Sequence, residues 1–394
     1  MDFSYTKEQE MIAKSAREIA KKFGPEYWYD QENDPGKTFP KEFFSALAQA
    51  EILGLGIPEE YGGSGMGFTE LVIAIDELGA GGGGAAPALM CLLGVTFGGM
   101  SILSHGNEKQ KRKYLPGMAK GQVRGCLGLT EPDAGTDTLS ITTFAERDGD
   151  GYLINGNKIF ISGYEEAEIM ILVTRTTRVE DTPKRTKGLS LFIVDLPNPA
   201  IKFNAIPKLG INYAKTYELG IDNLYVPKEA LLGEEGKGWY HILDTLNPER
   251  ILIAIGSIGC GKLAIETASK YANKRMVFGR KIGANQGIQF PMAAAYAKIE
   301  CARLAVLQAA SFFDKNKADK KVGDISNIAK FASVEAAMEG VHHAMQTFGG
   351  YGYAKEYHVE RWWRDLQLFR LAPIAQQLTM SYIGEHILGM PKSY

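Results

Sequence analysis

The chain has 394 residues, of which 45% are hydrophobic and 23% charged, and its formal net charge is −2. This length and balance predict a folded protein with a large core and two or three domains. The near-neutral charge argues against a nucleic-acid-binding surface, which needs a basic excess or stripe. Four cysteines lie far apart with no CxxC pair, so neither a disulfide framework nor a zinc-site spacing is present and a reducing compartment is expected.

The N-terminal segment carries charges from its start and lacks the apolar core of a signal peptide. We therefore expect a cytoplasmic protein. Residues 85–104 are uncharged over a length that could span a bilayer. Because this stretch is rich in glycine and contains Pro87, we interpret it as a helix buried in a helical domain and expect no membrane insertion.

Residues 1–125 show a helical pattern. Thr6, followed by acidic residues, is typical of a helix start, and Pro40 suits the first turn of a second helix. We assign this range to an N-terminal α-helical domain.

Residues 126–237 are predicted to form a central β domain. The segment 151–161 contains Asn155-Gly156 between β-rich flanks, which predicts a hairpin with its turn at that pair. Further strands are predicted at 169–174, 189–194 and 216–225. From residue 238 to 394 long helical patterns return, so the layout is α, then β, then α.

No metal site is predicted, since the six histidines form neither an HExxH motif nor a cluster with cysteines. The glycine-rich segment 349–352 does not follow a predicted strand, so it does not indicate a dinucleotide-binding fingerprint.

The segment from Leu127 to Asp137, LGLTEPDAGTD, is rich in turns, hydroxyl groups and free backbone N–H groups at the edge of the β region. Such a strip can hold a polar heterocycle or a phosphate-bearing chain. The residues alone leave open the alternative of a plain structural loop.

This segment resembles the TEPxAGSD signature of the acyl-CoA dehydrogenase family, and the resemblance continues in order along the chain. Residues 155–162, NGNKIFIS, are similar to the NGxKxWIT strand; residues 275–286 are similar to the RxxFG…Q stretch; and residues 346–352, QTFGGYG, are similar to the QxxGGxG loop. The Arg364-Asp365 pair follows at the family's distance. The resemblance implies an α+β multidomain fold with an N-terminal helical domain, a central β-barrel-like domain and a C-terminal four-helix bundle.

The resemblance also implies FAD as cofactor, lying between the β domain and the bundle. The positions that match family contacts to the cofactor are Leu127, Leu129, Thr130, Gly135, Thr136, Phe160, Ile161, Ser162, Arg275, Phe278, Gln286, Gln346, Gly349, Gly350 and Gln377. Three positions depart from the family pattern: Phe160 replaces tryptophan, Ser162 replaces threonine, and Ala375 replaces a threonine whose hydroxyl contact is lost.

In the family, the adenine arm of FAD crosses into a neighbouring subunit. The matching residues from Arg275 to Gly350 therefore imply a homotetramer, arranged as a dimer of dimers.

Thr136 and Arg250 match positions that contact the acyl-CoA substrate. The positions where the family builds the floor of the acyl pocket suggest an apolar acyl group and are occupied by Leu89, Met90, Cys91, Leu93 and Gly94.

The resemblance implies removal of two hydrogens from the α and β carbons of an acyl-CoA, as in fatty acid β-oxidation, with electrons passed to an electron-transfer flavoprotein.

Most family members carry the catalytic glutamate about eight residues after the Arg-Asp pair, but here Pro373 holds that position. A smaller subgroup, including isovaleryl-CoA dehydrogenase and long-chain enzymes, carries the glutamate just before the substrate-contacting arginine, where this chain has Glu249. We therefore expect Glu249 to be the base, with Pro248 near the start of its helix. The alternative is that Glu249 is a first-turn acid favoured by the helix dipole.

Two other functions remain open at this stage. One is an acyl-CoA oxidase or enoyl-CoA reductase on the same scaffold, and the other is a non-catalytic, flavin-binding member of the family. Oxygen consumption distinguishes the oxidase, reduction of an enoyl-CoA distinguishes the reductase, and a flavin that acyl-CoAs never bleach distinguishes the non-catalytic protein.

Overall fold

The structure is a computed structural model that describes residues 4–317 and 319–392. Its N-terminal part is helical, with α1 (Lys7–Lys22), α2 (Pro25–Asn33), α3 (Lys41–Gln49) and α4 (Phe68–Leu78). Thr6 caps α1 through a reciprocal capping box with Gln9, which confirms the predicted helix start. Pro40 directly precedes α3. Gly79–Gly83 then forms a π-helical turn.

The uncharged stretch forms three consecutive helical pieces: α5 (Ala86–Cys91), a π-helical segment (Leu92–Met100) and α6 (Ser101–His105). It is followed by α7 (Glu108–Ala119). By length and composition, Ala86–His105 and the later helix Gly238–Ala272 are both able to cross a membrane. Their apolar windows are 94% and 83% buried within the protein, as core helices are.

The central part is a sheet. Its strands are β1 (Gly125–Gly128), β2 (Phe144–Asp148), β3 (Gly151–Ser162), β4 (Ile169–Arg175), β5 (Leu189–Asp195), β6 (Ile201–Ala205), β7 (Thr216–Pro227) and β8 (Leu231–Leu232). Within the described residues these eight strands run in the order β6-β7-β3-β2-β4-β5-β8, and β1 pairs in parallel with β4. The strands predicted at 169–174, 189–194 and 216–225 are present.

The hairpin predicted at Asn155-Gly156 is wrong, because β3 runs unbroken through this pair. The pairing of β3 with β7 shifts register between Ile154 and Gly156, where two residues of β7, Asp222 and Asn223, lie opposite Asn155 alone, so the bulge is on β7. A Cβ atom at Gly156 would lie 2.4 Å from Thr143 Oγ1, and its φ of 155° suits glycine. The hairpin turn lies instead between β2 and β3, at Gly149 with φ 56°.

The C-terminal part is helical, with α8 (Gly238–Ala272), α9 (Gln286–Lys315), α10 (Lys320–Phe348), α11 (Val359–Leu371) and α12 (Gln376–Tyr382). Two short strands, β9 (Met276–Val277) and β10 (Arg280–Lys281), form an antiparallel hairpin between α8 and α9. Helices α8, α9 and α10 pack against one another, and α10 also contacts α11 and α12.

Side chains that alternate along β4 enter two different cores. Ile169 and Ile171 join the large core that contains the helices of both ends of the chain. Met170 and Leu172 join a second core on the opposite face of the sheet. Because successive side chains of a strand point to opposite faces, β4 contributes to the cores on both sides of the sheet.

Helix α8 approaches the N-terminal part very closely at two glycines. A Cβ atom at Gly79 would lie 3.1 Å from the Cα of Gly259, and a Cβ atom at Gly259 would lie 2.9 Å from the Cα of Gly79. Only two residues without side chains allow the backbones to come this close.

The expectation that Pro248 lies near the start of its helix is wrong. Helix α8 begins at Gly238, so Pro248 is in its interior. Since proline has no N–H group, the carbonyl of Asp244 loses its usual helical donor one turn before Glu249. Packing of α8 against its neighbours overrides this local penalty, which is why the proline did not predict the helix boundary.

Candidate active site

The turn-rich strip that follows β1 is bound to strand β3 over three successive residues. The backbone N–H of Ile159 donates to the carbonyl of Thr130 at 2.9 Å. The ammonium group of Lys158 donates to the carbonyl of Leu129 at 2.9 Å and to the carboxylate of Glu131 at 2.8 Å. The structure therefore brings Leu129 and Thr130 together with the predicted residues at the end of β3.

Glu131 and Lys158 form a buried ion pair. Burial alone would raise the pKa of Glu131, but the charge and hydrogen bond of Lys158 lower it to about 2. Burial lowers the pKa of Lys158 to about 8, against the opposing effect of the Glu131 charge. Both groups are therefore charged at neutral pH. The sequence did not predict either as a site residue, although Glu131 lies in the segment 127–137 and Lys158 in the segment 155–162.

Phe160 is presented to solvent at a second irregularity of β3. The register with β7 shifts between Lys158 and Ile161, and Phe160 has a φ of 60°, which is rare for an aromatic residue. Its side chain is 62% exposed. An exposed aromatic side chain held in a strained conformation is typical of a binding surface.

The two residues that follow Phe160 differ in their side-chain positions. Ser162 is half-buried, and its hydroxyl lies 3.2 Å from that of Thr216. Ile161 points into the core of the β domain, so a contact from it to a cofactor is confined to its backbone.

The outer end of the strip is exposed. Gly135 and Thr136 both lie at the surface, and the Gly135 carbonyl accepts a hydrogen bond from Thr138 at 3.1 Å. The next residue, Asp137, forms an ion pair with Arg185 at 2.6 Å. This end therefore faces a cationic loop between β4 and β5.

The predicted cofactor residues of the C-terminal part lie away from the strip in sequence and are all exposed: Arg275, Phe278, Gln286, Gln346, Gly349 and Gly350. The guanidinium of Arg275 lies 5.9 Å from the centre of the Tyr351 ring, so the β9–β10 hairpin and the end of α10 are neighbours. A Cβ atom at Gly349 or Gly350 would meet no atom within 4 Å. The backbone there is therefore open to a close ligand.

Gln377 belongs to a third group, near the N-terminus of α12. It is exposed, whereas its neighbour Gln376 is buried and accepts a hydrogen bond from Lys330 at 2.8 Å. Lys330 also donates to the Ile374 carbonyl, which fixes the turn that contains Pro373. Lys330 and Gln346 are 16 residues apart on α10, about 24 Å along the helix axis. One chain thus does not bring all the predicted cofactor residues together.

Glu249 is a buried carboxyl group on α8 whose Oε2 atom has no hydrogen-bond partner among the described residues. Burial raises the pKa of Glu249 to about 8, although the charge of Arg250 opposes this rise. A carboxyl group that is half ionised slightly above neutral pH is suited to proton transfer.

Arg250 is half-buried beside Glu249. Its Nη1 atom donates to Asn247 at 2.7 Å, while its Nε atom is buried without a partner in the described structure. Burial lowers the pKa of Arg250, against the charge of Glu249. Two adjacent ionisable groups with unsatisfied polar atoms are typical of a functional site.

The π-helical segment Leu92–Met100 connects the strip to α8, since it packs against both β1 and α8. Its residue Leu93 contacts Gly163, where a Cβ atom would lie 2.9 Å from the leucine side chain. Leu89, Met90 and Leu93 are all buried. The predicted floor of the acyl pocket therefore lies between the strip and the helix of Glu249.

These groups fit FAD. The exposed Phe160 ring suits a flat heterocycle, and the open backbone at Gly349 and Gly350 suits a pyrophosphate. Arg275 supplies a cation that forms no ion pair with a carboxylate of the described residues. Within residues 4–317 and 319–392, no group of three or more His, Cys, Asp or Glu side chains is placed to hold a metal ion.

Comparison with known proteins identifies three matching family models. The N-terminal, middle and C-terminal domains of acyl-CoA dehydrogenase match residues 6–122, 126–224 and 236–388.

Individual relatives match over nearly their whole lengths. An acyl-CoA dehydrogenase, fadE12 of Mycobacterium bovis, is 32% identical over 100% of this chain and 99% of its own. A glutaryl-CoA dehydrogenase of Desulfococcus multivorans is 34% identical over the whole of both chains. The three-dimensional structure of butyryl-CoA dehydrogenase from Megasphaera elsdenii superposes with a TM-score of 0.91 and 31% identity, covering 98% of this chain and 100% of that one.

The raised pKa of Glu249 predicts how its replacement changes stability with pH. Between pH 4.5 and about 8 the folded state holds a proton that the unfolded state has released, so the wild-type free energy of unfolding falls as pH rises. In the Glu249→Gln variant this carboxyl group is absent, so its ionisation no longer lowers the free energy of unfolding as pH rises. The variant's stability relative to wild type should rise with pH at up to ~1.4 kcal/mol per unit and level off above pH 8. Denaturant unfolding of both proteins across this range checks the prediction, and a difference that does not change with pH contradicts it.

Proposed function

Because this chain belongs to the acyl-CoA dehydrogenase family, we propose that it catalyses α,β-dehydrogenation of an acyl-CoA thioester to a trans-2-enoyl-CoA, with Glu249 as the base. Members of the family are FAD-dependent oxidoreductases, and the chain is one of them. The expected acyl-CoA dehydrogenase fold is confirmed by the three domain matches and the butyryl-CoA dehydrogenase structure. The buried, unpartnered carboxyl group of Glu249 carries the proposal.

The proposed role of Glu249 is to remove the α-proton of the substrate. Its Oε2 atom is free to accept a proton, and burial makes its conjugate acid weak. A base whose pKa lies near the working pH combines a sufficient ionised fraction with a strong tendency to take the proton. An acyl chain that enters the pocket removes further water from around the carboxylate and strengthens the base.

FAD, when bound, supplies the acceptor for the hydride that leaves the β-carbon. The groups proposed to hold its ring are Leu127, Leu129, Thr130, Phe160, Ile161 and Ser162, with Gly135, Thr136 and Gln377 at the margins. Thr136 and Arg250 are proposed to bind the CoA portion of the substrate. The unpartnered Nε atom of Arg250 is an available donor for a carbonyl or phosphate oxygen.

The decisive variant is Glu249→Gln, which keeps the size of the side chain and removes the base. It should bind FAD and acyl-CoA but reduce its flavin about 10²–10⁴-fold more slowly, the usual contribution of a general base. At low acyl-CoA concentration, where the rate reports the free enzyme, the wild-type bleaching rate should rise with pH through a midpoint near 8, where Glu249 ionises, and the variant should lose this dependence. Anaerobic stopped-flow measurement of flavin bleaching gives both quantities.

The matched control is Glu266→Gln, which changes an exposed glutamate on the same helix. It should bleach at the wild-type rate. If Glu249→Gln also bleaches at the wild-type rate, Glu249 is not the base.

The acyl group is proposed to be apolar. The residues proposed as the pocket floor lie in the segment 85–104, which is uncharged and largely buried, so this segment offers no cation to a free carboxylate at the end of an acyl chain. We therefore expect butyryl-CoA to bleach the flavin at least about 100-fold faster than glutaryl-CoA, a factor that corresponds to about 2.7 kcal/mol of the cost of burying an unpaired charge.

The control substrate is the methyl ester of glutaryl-CoA, which keeps the chain length and removes the charge. It should bleach the flavin far better than the free acid. Equal rates for glutaryl-CoA and its ester contradict an apolar pocket.

The proposed electron acceptor is an electron-transfer flavoprotein. The reduced enzyme should pass electrons to it and consume little oxygen in its absence. Rapid oxygen consumption would instead make the protein an oxidase, and preferential reduction of an enoyl-CoA would make it a reductase.

The proposed assembly is a homotetramer with one FAD per chain. Phe278 is fully exposed at the tip of the β9–β10 hairpin, and Tyr353, two residues after the Tyr351 ring that lies beside Arg275, is 84% exposed. Together with Arg275, these side chains form a surface suited to a second subunit and its cofactor. Sedimentation velocity of the yellow protein should give four chains, and a monomer that retains tightly bound FAD contradicts the proposal.

A further inference from the structure

The side chain of Lys158 is fully buried and donates to two groups of the strip. Its Nζ atom lies 2.9 Å from the carbonyl of Leu129 and 2.8 Å from Oε1 of Glu131. A single ammonium group therefore holds the residues on both sides of Thr130. Because a buried ammonium group is costly without partners, its position is tightly fixed by these oxygens.

The other end of the ion pair is fixed independently. Oε2 of Glu131 accepts from the backbone N–H of Thr142 at 2.6 Å and from its hydroxyl at 2.9 Å, and Oε1 accepts from the backbone N–H of Thr143 at 2.9 Å. Glu131 therefore keeps several donors even without Lys158. The Leu129 carbonyl has only Lys158 as a side-chain donor in the described structure.

Lys158 also precedes the irregular end of β3. Ile159 donates its backbone N–H to Thr130, and Phe160 follows with its positive φ and exposed ring. The same two residues of β3 thus bind Leu129, Thr130 and Glu131 in succession. Both surfaces that we assign to the flavin ring meet at the Lys158 side chain.

We propose that Lys158 is a positioning residue, which orients the Leu129–Thr130 backbone against Phe160 for binding of the flavin ring. This role rests on the proposed assignment of these residues to FAD. The Lys158–Leu129 hydrogen bond carries the positioning, and the Lys158–Glu131 ion pair carries stability.

Three variants separate these two roles. Lys158→Met removes both interactions. Glu131→Gln removes the ion pair but leaves the Lys158–Leu129 hydrogen bond available. Asp76→Asn is the matched control, because it weakens a buried ion pair with Arg303 that joins α4 to α9.

The measurements are the FAD dissociation constant of each apoprotein by flavin fluorescence, the visible absorption spectrum of each FAD-loaded protein, and the thermal midpoint. Lys158→Met should raise the dissociation constant at least about tenfold, the factor for loss of one hydrogen bond to a charged group, and should shift the flavin spectrum. Glu131→Gln and Asp76→Asn should lower the thermal midpoint but keep the wild-type spectrum.

The proposal is overturned if Lys158→Met keeps the wild-type dissociation constant and spectrum. It is also overturned if Glu131→Gln shifts the spectrum as strongly as Lys158→Met does, or if Asp76→Asn weakens FAD binding to the same extent. If Lys158→Met does not fold, Glu131→Gln is compared with wild type alone: an unchanged flavin spectrum and FAD dissociation constant support the proposal, and a shifted spectrum overturns it. Wild-type protein that takes up no FAD overturns the proposed function, which is a separate outcome.

Discussion

The burial of both faces of β4 and β5 is the constraint on which the architecture depends. Ile169 and Ile171 enter the core shared with the helices, and Met170 and Leu172 enter the core of the β domain. A shift of one residue in the pairing of these strands would exchange the two sets and disrupt both cores. The register is therefore strongly fixed, and with it the position of β1, which pairs with β4 and leads into the strip.

Two buried glutamates of this chain have pKa values that their surroundings shift in opposite directions. Glu131 accepts hydrogen bonds from Thr142 and Thr143 and pairs with Lys158, which lowers its pKa to about 2. Glu249 is equally buried, but its Oε2 atom has no donor, and its pKa is raised to about 8. The first is charged at neutral pH, whereas the second can change its protonation state near neutral pH.

Local sequence patterns predicted much of the fold because they act at short range. Thr6 and the acidic residues after it predicted the start of α1, and β-rich segments predicted β4, β5 and β7. The failures occurred where distant packing decides. Asn155-Gly156 has the composition of a turn, but pairing of β3 with β7 on one side and β2 on the other keeps the strand intact. Pro248 has the composition of a helix start, but contacts along α8 maintain the helix through it.

For the candidate site too, the sequence predicted local features and failed where distant segments meet. The motifs predicted the strip and the end of β3, and the structure joins them through Lys158 and Ile159. The motifs did not predict that Glu131 and Lys158 would be ion-paired, because that depends on two segments meeting in three dimensions. The remaining cofactor residues, such as Arg275 and Gln377, lie in separate places on one chain, so their relation depends on how subunits assemble.

The close approach of α8 at Gly79 and Gly259 has a consequence for how such a protein can vary during evolution. The helix that carries Glu249 is positioned there by the absence of side-chain atoms, and each glycine occupies the space into which the other's Cβ atom would project. A larger residue at either position pushes the helix outwards and moves Glu249 with it. Neither position can therefore accept a larger residue without a compensating movement of the backbone. Among related sequences, the two positions should therefore be constrained together during evolution.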